Sequence, residues 1–178
     1  PANRIPVTTK IVDQSKMGKV YDFIRNKIKL GRQAIVVYPL VEESEKSDLA
    51  AAVQNHELLS NVQFPKIKVG LIHGKMKPQE KEEIINKFNK NKIKILVSTT
   101  VVEVGLDVPN ATIMIVEHAE RFGLTQLHQL RGRVGRGTEK SYCILVKRNQ
   151  SNVSRARLEI MEKTNDGFLI ADEDLKLR

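Results

Sequence analysis

The sequence is poor in cysteine: Cys143 is the single one among 178 residues. No internal disulfide can form, and a multi-cysteine zinc site is excluded. A reducing, cytosolic compartment suits that usage. Cys143 sits inside an apolar run and is expected in the core. No apolar stretch approaches the roughly 18 residues of a membrane-spanning helix, so no integral membrane protein is expected. The opening PANRIPVTTK lacks the apolar centre of a secretory signal. There is no internal repeat and no low-complexity linker. The phosphate-cradling pattern G-x-x-x-x-G-K-[ST] is absent. So is the acid pair, following an apolar strand, with which phosphoryl-transfer ATPases hold Mg2+. No Ser-His-Asp or Cys-His set is suggested. His56, His73, His118 and His128 show no metal-ligand spacing, and no metal site is expected.

What the chain has is length enough for one well-buried domain and a short appendage, though not for two full-size domains. Apolar residues supply 40% and charged residues 29%, which excludes a disordered or collagen-like chain. Thirty Lys and Arg against 21 Asp and Glu leave a net charge of +9. That charge predicts attraction to polyanions without choosing among them. Its distribution says more. Between Arg121 and Arg148 lie seven basic residues (Arg121, Arg131, Arg133, Arg136, Lys140, Lys147, Arg148) and one acid, Glu139. Between Glu159 and Asp174 lie six acids and one base, Lys163. The contrast predicts a localised anion site, and an appendage of residues 151–178 on a domain of residues 1–150.

Short β-branched runs alternate with amphipathic segments. Ala34–Tyr38, Ile67–Ile72, Ile93–Val97, Thr112–Val116 and Ser141–Val146 are apolar on both faces, as strands of a covered parallel sheet are. Ser15 is placed to cap a helix to about Leu30, with Met17, Val20, Phe23, Ile24 and Ile28 on one stripe and Gly31 as its stop. Ser44 or Ser47 starts a second helix. Pro78 suits the first turn of a third, which carries Ile84, Ile85 and Phe88. Thr125 starts a helix of about Leu124–Arg133, and Ser151 or Ser154 one through Leu158 and Met161. This alternation predicts an α/β fold: an open, mostly parallel sheet of about five or six strands, helices on both faces, and a C-terminal helical appendage. Ligands of such sheets gather at the carboxyl ends of strands, so the loops after strands are the expected site.

The most distinctive segment is Gln126-Leu-His-Gln-Leu-Arg-Gly-Arg-Val-Gly-Arg-Gly137. Arg131, Arg133 and Arg136 crowd together there. Arginine keeps its charge at neutral pH and forks onto phosphate oxygens. Closely spaced arginines repel one another unless an anion stands between them. Ser98-Thr-Thr-Val-Val-Glu-Val-Gly-Leu-Asp-Val-Pro-Asn110 follows a strand. Its hydroxyls suit phosphates, and Asp107 suits a ribose hydroxyl or an arginine; an ordinary strand-to-helix loop capped by Thr100 stays open. His73 and Lys75 also follow a strand and suit a nucleic-acid backbone, although a turn at Gly74 with solvated lysines fits equally.

At these residues the chain resembles the second RecA-like domain of superfamily 2 helicases. Ile95–Asn110 is similar to their motif V and Gln126–Gly137 to their motif VI. Pro6-Val-Thr-Thr9, Glu42-Glu-Ser-Glu45, His73-Gly-Lys-Met-Lys-Pro78, Glu103-Val-Gly-Leu-Asp-Val-Pro-Asn-Ala111 and Asn165-Asp-Gly-Phe168 narrow the resemblance to the RecG family of branch-migration helicases. It covers essentially the whole chain. Motif VI alone also fits the transcription-repair coupling translocase; the Asn165–Phe168 string and the acids after it favour RecG.

The resemblance implies roles. Arg133 and Arg136 act at the nucleotide, and Gln129 links nucleotide state to the cleft. Gly105 and Asp107 lie near the nucleotide, Thr99 and Thr100 nearer the DNA backbone. Arg157 and Arg178 belong to a helical hairpin that couples cleft closure to translocation. ATP is shared with an N-terminal RecA-like domain that this sequence lacks, and that domain holds the Mg2+. A wedge domain engages branched or duplex DNA. The whole is a cytoplasmic, nucleoid-associated bacterial enzyme, of which this chain is a fragment inactive by itself. A stand-alone nucleic-acid-binding module, with weak and strongly salt-dependent affinity, remains the alternative. A dinucleotide-binding enzyme fits poorly, because Gly132, Gly135 and Gly137 stand in the wrong order and precede a strand.

Overall fold

A computed structural model describes residues 5–39, 45–99, 108–165 and 167–177. Six strands, β1 (Thr8–Val12), β2 (Gln33–Val37), β3 (Val69–Ile72), β4 (Ile95–Ser98), β5 (Ala111–Val116) and β6 (Tyr142–Val146), form one sheet in the order β1-β6-β5-β2-β4-β3. Every pairing is parallel. The helices are α1 (Met17–Lys29), α2 (Glu45–Leu58), α3 (Pro78–Asn89), α4 (Leu124–Arg131), α5 (Asn152–Lys163) and α6 (Gly167–Leu177).

The central strands β2, β4 and β5 are buried at every residue, which is why they read as unbroken apolar runs. One core cluster packs Met17, Val20 and Ile24 of α1 and Ala52 of α2 on one face, with Leu59 and Phe64 beyond α2. The other cluster joins Phe88 of α3, Leu124, Leu127 and Leu130 of α4, Leu158 and Met161 of α5, and Ile170 of α6 on the opposite face. The last two helices thus share the main core.

Differences from expectation are local. The first strand, β1, is unanticipated: as an edge strand it buries only alternate residues, Thr9 and Ile11. The cap at the first helical turn is Asp13, whose Oδ1 accepts the Ser15 N–H at 3.0 Å ahead of a 3-10 turn, Gln14–Lys16. The fourth helix ends at Arg131, two residues early. Its first turn is closed by Gln126, whose Oε1 accepts the Gly123 N–H at 2.9 Å, and Thr125 is not the cap. Gly31 does stop α1, with φ +88°. Ser151 caps α5, its Oγ accepting the Ser154 N–H at 3.3 Å.

Candidate functional site

The arginine loop lies at the amino ends of the strands, whereas the loops after strands were expected. A 3-10 turn, Ala119–Arg121, follows β5, and α4 then runs back along the sheet. Its far end therefore reaches the amino ends of β1, β5 and β6. A Cβ on Gly135 would stand 2.8 Å from Val7 Cγ2, just before β1, and Gly135 has φ +78°. Only glycine suits both constraints. A Cβ on Gly137 would stand 3.2 Å from the Pro109 carbonyl, just before β5. Glu139 pairs with Arg32, just before β2, at 3.2 Å.

A buried amide network underlies this end. Gln33 is fully buried and donates through Nε2 to the carbonyls of Phe88 and Ile93 at 2.7 and 2.8 Å. Asn110 Nδ2 donates to Gln33 Oε1 at 2.9 Å and to the Gly31 carbonyl at 2.7 Å, and Arg32 donates to Asn110 Oδ1 at 3.2 Å. The residues after motif V and those after motif VI are thereby fixed to each other.

The three arginines of the loop do different work. Arg131 is buried, 3% exposed. It donates to Thr9 Oγ1 at 3.2 Å, to the Met161 carbonyl at 2.6 Å and to the Thr164 carbonyl at 2.9 Å. Met161 and Thr164 close α5, so the cation meets the negative end of a helix. Burial holds the Arg131 pKa below its ordinary value. It belongs to the scaffold, and of the three arginines expected to crowd together only Arg133 and Arg136 share an open groove. Arg133 is half-buried, and among the described residues no ion pair holds it; Arg136 is exposed and donates through Nε to the Gly132 carbonyl at 3.1 Å. Both line an open groove of about 610 Å³ together with Phe122, Gln126, Gln129, Leu130 and Gly132. Gln126 and Gln129 reach it from one side of α4, and Arg133 from the turn just past its end. Two guanidinium groups and two carboxamides on an open groove, one cation lacking a carboxylate, fit a polyphosphate.

Other basic residues of the 121–148 stretch are also engaged internally. Arg121 forks onto buried Asp48 at 2.5 and 3.1 Å. Arg148 forks onto Glu117, which is 1% exposed, at 2.9 and 3.0 Å. These ion pairs lie at the carboxyl ends of the strands, and the Glu117 carboxylate holds the Arg148 pKa up despite burial. The run of charge in the sequence therefore overstated the free anion site.

Thr99, His73 and Lys75 gather at the same carboxyl end. Ile72 of β3 pairs with Ser98 of β4, and the Thr99 N–H donates to the Ile72 carbonyl at 3.1 Å. His73 Nδ1 accepts the Lys75 N–H at 3.2 Å, which leaves the Lys75 side chain exposed. The Thr99 hydroxyl is buried and makes no hydrogen bond among the described residues. A strand of four to six residues separates the two ends, a distance of about 15 Å. Arg157 of α5 donates to the carbonyls of Glu120 and Phe122 at 2.6 and 2.7 Å, just ahead of α4. Thr100, Gly105, Asp107 and Arg178 lie outside the described residues.

Residues 15–138 match the family model of the helicase conserved C-terminal domain. The chain belongs to that helicase family. Over all 178 residues it is 50% identical to the ATP-dependent DNA helicase RecG of Synechocystis, of which it spans 21%. It superposes, with a TM-score of 0.83 and 44% identity, on a RecG solved bound to a three-way DNA junction, covering all of this chain and 23% of that one. The second domain of the Mss116p DEAD-box helicase shares the fold, at a TM-score of 0.68 and 18% identity over 97% of this chain and 69% of that one. The chain thus spans about a quarter of the RecG helicases it matches, as a RecA-like lobe of the C-terminal helicase type. Among the described residues no helix is long and apolar enough to cross a membrane.

Proposed function

We propose that this chain is the C-terminal motor lobe of a cytoplasmic, nucleoid-associated RecG-type helicase, which uses ATP to remodel branched DNA such as stalled forks and Holliday junctions. The observation that carries this reading is the convergence of Gln129, Arg133 and Arg136 on one open groove. A second RecA-like lobe of the parent protein holds the triphosphate and its Mg2+ against that groove, and a wedge domain engages the junction. ATP supplies a γ-phosphoryl group whose transfer to water builds negative charge on its oxygens. Arg133 and Arg136 offset that charge with fixed positive forks. Gln129 links nucleotide state to the same cleft, and Gly105 and Asp107 serve the nucleotide. Thr99, His73 and Lys75 hold duplex DNA by its phosphates at the opposite end of the sheet, and Thr100 serves the same DNA contact.

Residues 151–178 form the beginning of the translocation hairpin. Arg157 grips the chain entering α4, and Arg131 ties the other end of α4 to the end of α5. Gripped twice, α4 carries the hairpin along when the cleft closes. Arg178 extends the same coupling. The lobe by itself, without a phosphate loop, does not turn over ATP.

The test is Arg136→Ala in the protein that joins this lobe to its phosphate-binding partner. DNA-stimulated ATP turnover drops on the order of 10³-fold, with an unchanged unfolding midpoint. Undiminished turnover would refute the assignment.

A further inference from the structure

A second concave surface lies on the far edge of the sheet, away from both ends described above. There α1 reaches β6, where Phe23 meets Tyr142, but stops short of β1, so among the described residues one face of β1 carries no helix. Thr8 and Val12 of β1, Tyr142 and Ile144 of β6, and Val20 and Phe23 of α1 floor a groove of about 280 Å³. Lys10, Lys16 and Lys19 stand on its rim, and among the described residues no acid lines it. On the opposite face the same strand is covered: α5 packs there, and Glu162 Oε2 accepts the Ile11 N–H at 3.2 Å. The exposure is thus confined to one side of one edge.

We infer that this groove docks an acidic peptide segment of a partner protein, which inserts an aromatic or large aliphatic side chain between α1 and β1 and places its carboxylates against Lys10, Lys16 and Lys19. The floor is apolar and has room for about one large side chain, whose burial drives docking. The rim is positive, which selects an acidic segment and disfavours a second copy of a chain with net charge +9. Nucleic acid fits less well. Single strands bind by stacking bases on open aromatic faces, and here Lys27 and Lys140 sit 5.1 and 5.6 Å from the Tyr142 ring centre. Phe23 meets Tyr142 edge to face at 4.8 Å, and Lys27 lies 5.6 Å from the Phe23 ring. The rings are already occupied by cations and by each other. What remains open is the aliphatic trough beside them.

The probe is a fluorescein-labelled peptide with blocked ends, a central Phe-Leu pair and flanking aspartates, titrated with the protein and followed by anisotropy. Binding in the micromolar range is expected. Lys10→Glu with Lys19→Glu weakens it at least about tenfold. The same exchange at Lys90 and Lys92, exposed on the other edge of the sheet, leaves it unchanged. A peptide with Phe and Leu replaced by Ser also loses binding. Equal binding by the Ser peptide, or equal weakening by both lysine pairs, would reduce the effect to bulk charge and overturn the inference. So would no binding at all, or displacement of the peptide by duplex DNA through Lys10 and Lys19. Self-association of the protein that Lys10→Glu with Lys19→Glu abolishes would give the groove to a second copy instead.

Discussion

At the amino ends of the strands, neutral amides and glycines hold the structure: Gln33 and Asn110 share one network, and Gly135 and Gly137 pack directly on the chain ahead of β1 and β5. At the carboxyl ends the work is done by charge. Glu117 with Arg148 and Asp48 with Arg121 are ion pairs with buried carboxylates, and Arg157 binds the carbonyls ahead of α4. Each end also keeps one group out of its own network. At the amino end it is the cation of Arg133; at the carboxyl end it is the hydroxyl of Thr99. A buried ion pair broken by loss of one partner leaves an uncompensated charge, so paired arginines are poor candidates for a ligand. The difference between the ends therefore leaves the groove of Arg133 and Arg136 as the place for the ligand contact proposed above.

The sharpest way to break this comparison is to exchange roles within one loop. Arg131→Met removes three hydrogen bonds from buried partners and should cost about 3 kcal/mol in urea unfolding. Arg133→Met, two residues on, should change stability by less than about 0.5 kcal/mol. Similar losses at both would dissolve the distinction between scaffold and ligand arginines.

A smaller effect is expected from the glycines. Gly135→Ala forces a side chain to φ +78° against Val7 and should cost about 2 kcal/mol. Gly18→Ala has no heavy atom within 4 Å and lies in α1, where it should gain about 0.5–1 kcal/mol. Calorimetric midpoints of the two variants moving in the same direction would contradict this assignment.

The smallest effect tests the other end. Thr99→Val deletes a buried hydroxyl that lacks a partner and should raise stability by about 1 kcal/mol. Under the proposed function, duplex DNA affinity of the parent protein should fall at the same time. A variant less stable than the parent would mean that the hydroxyl is satisfied within the fold.

Much of this was legible locally. The strands β2, β4 and β5 are covered on both faces, so their apolar runs announced themselves. The stripe of α1, the proline that opens α3 and the serine that caps α5 are set by residues a few positions apart. The edge strand β1 escaped because a half-covered strand of five residues carries a weak alternation. In the site, motif order and residue type pointed to Gln129, Arg133 and Arg136, which do share one groove. They did not separate Arg131 from its neighbours. Nor did they show that Arg121 and Arg148 are engaged by Asp48 and Glu117.

The sequence by itself determined the alternation of strands and helices and the motif strings, because short-range periodicity and capping chemistry dictate local structure. Only the tertiary structure decided which arginines are held inside the fold and which line an open groove. The partner that claims Arg131 through Nη1 at Thr9 lies 122 residues away along the chain. A guanidinium is a strut or an open cation according to which distant carbonyls and carboxylates the fold brings within about 3 Å of it, a distance set by packing rather than by neighbours in sequence.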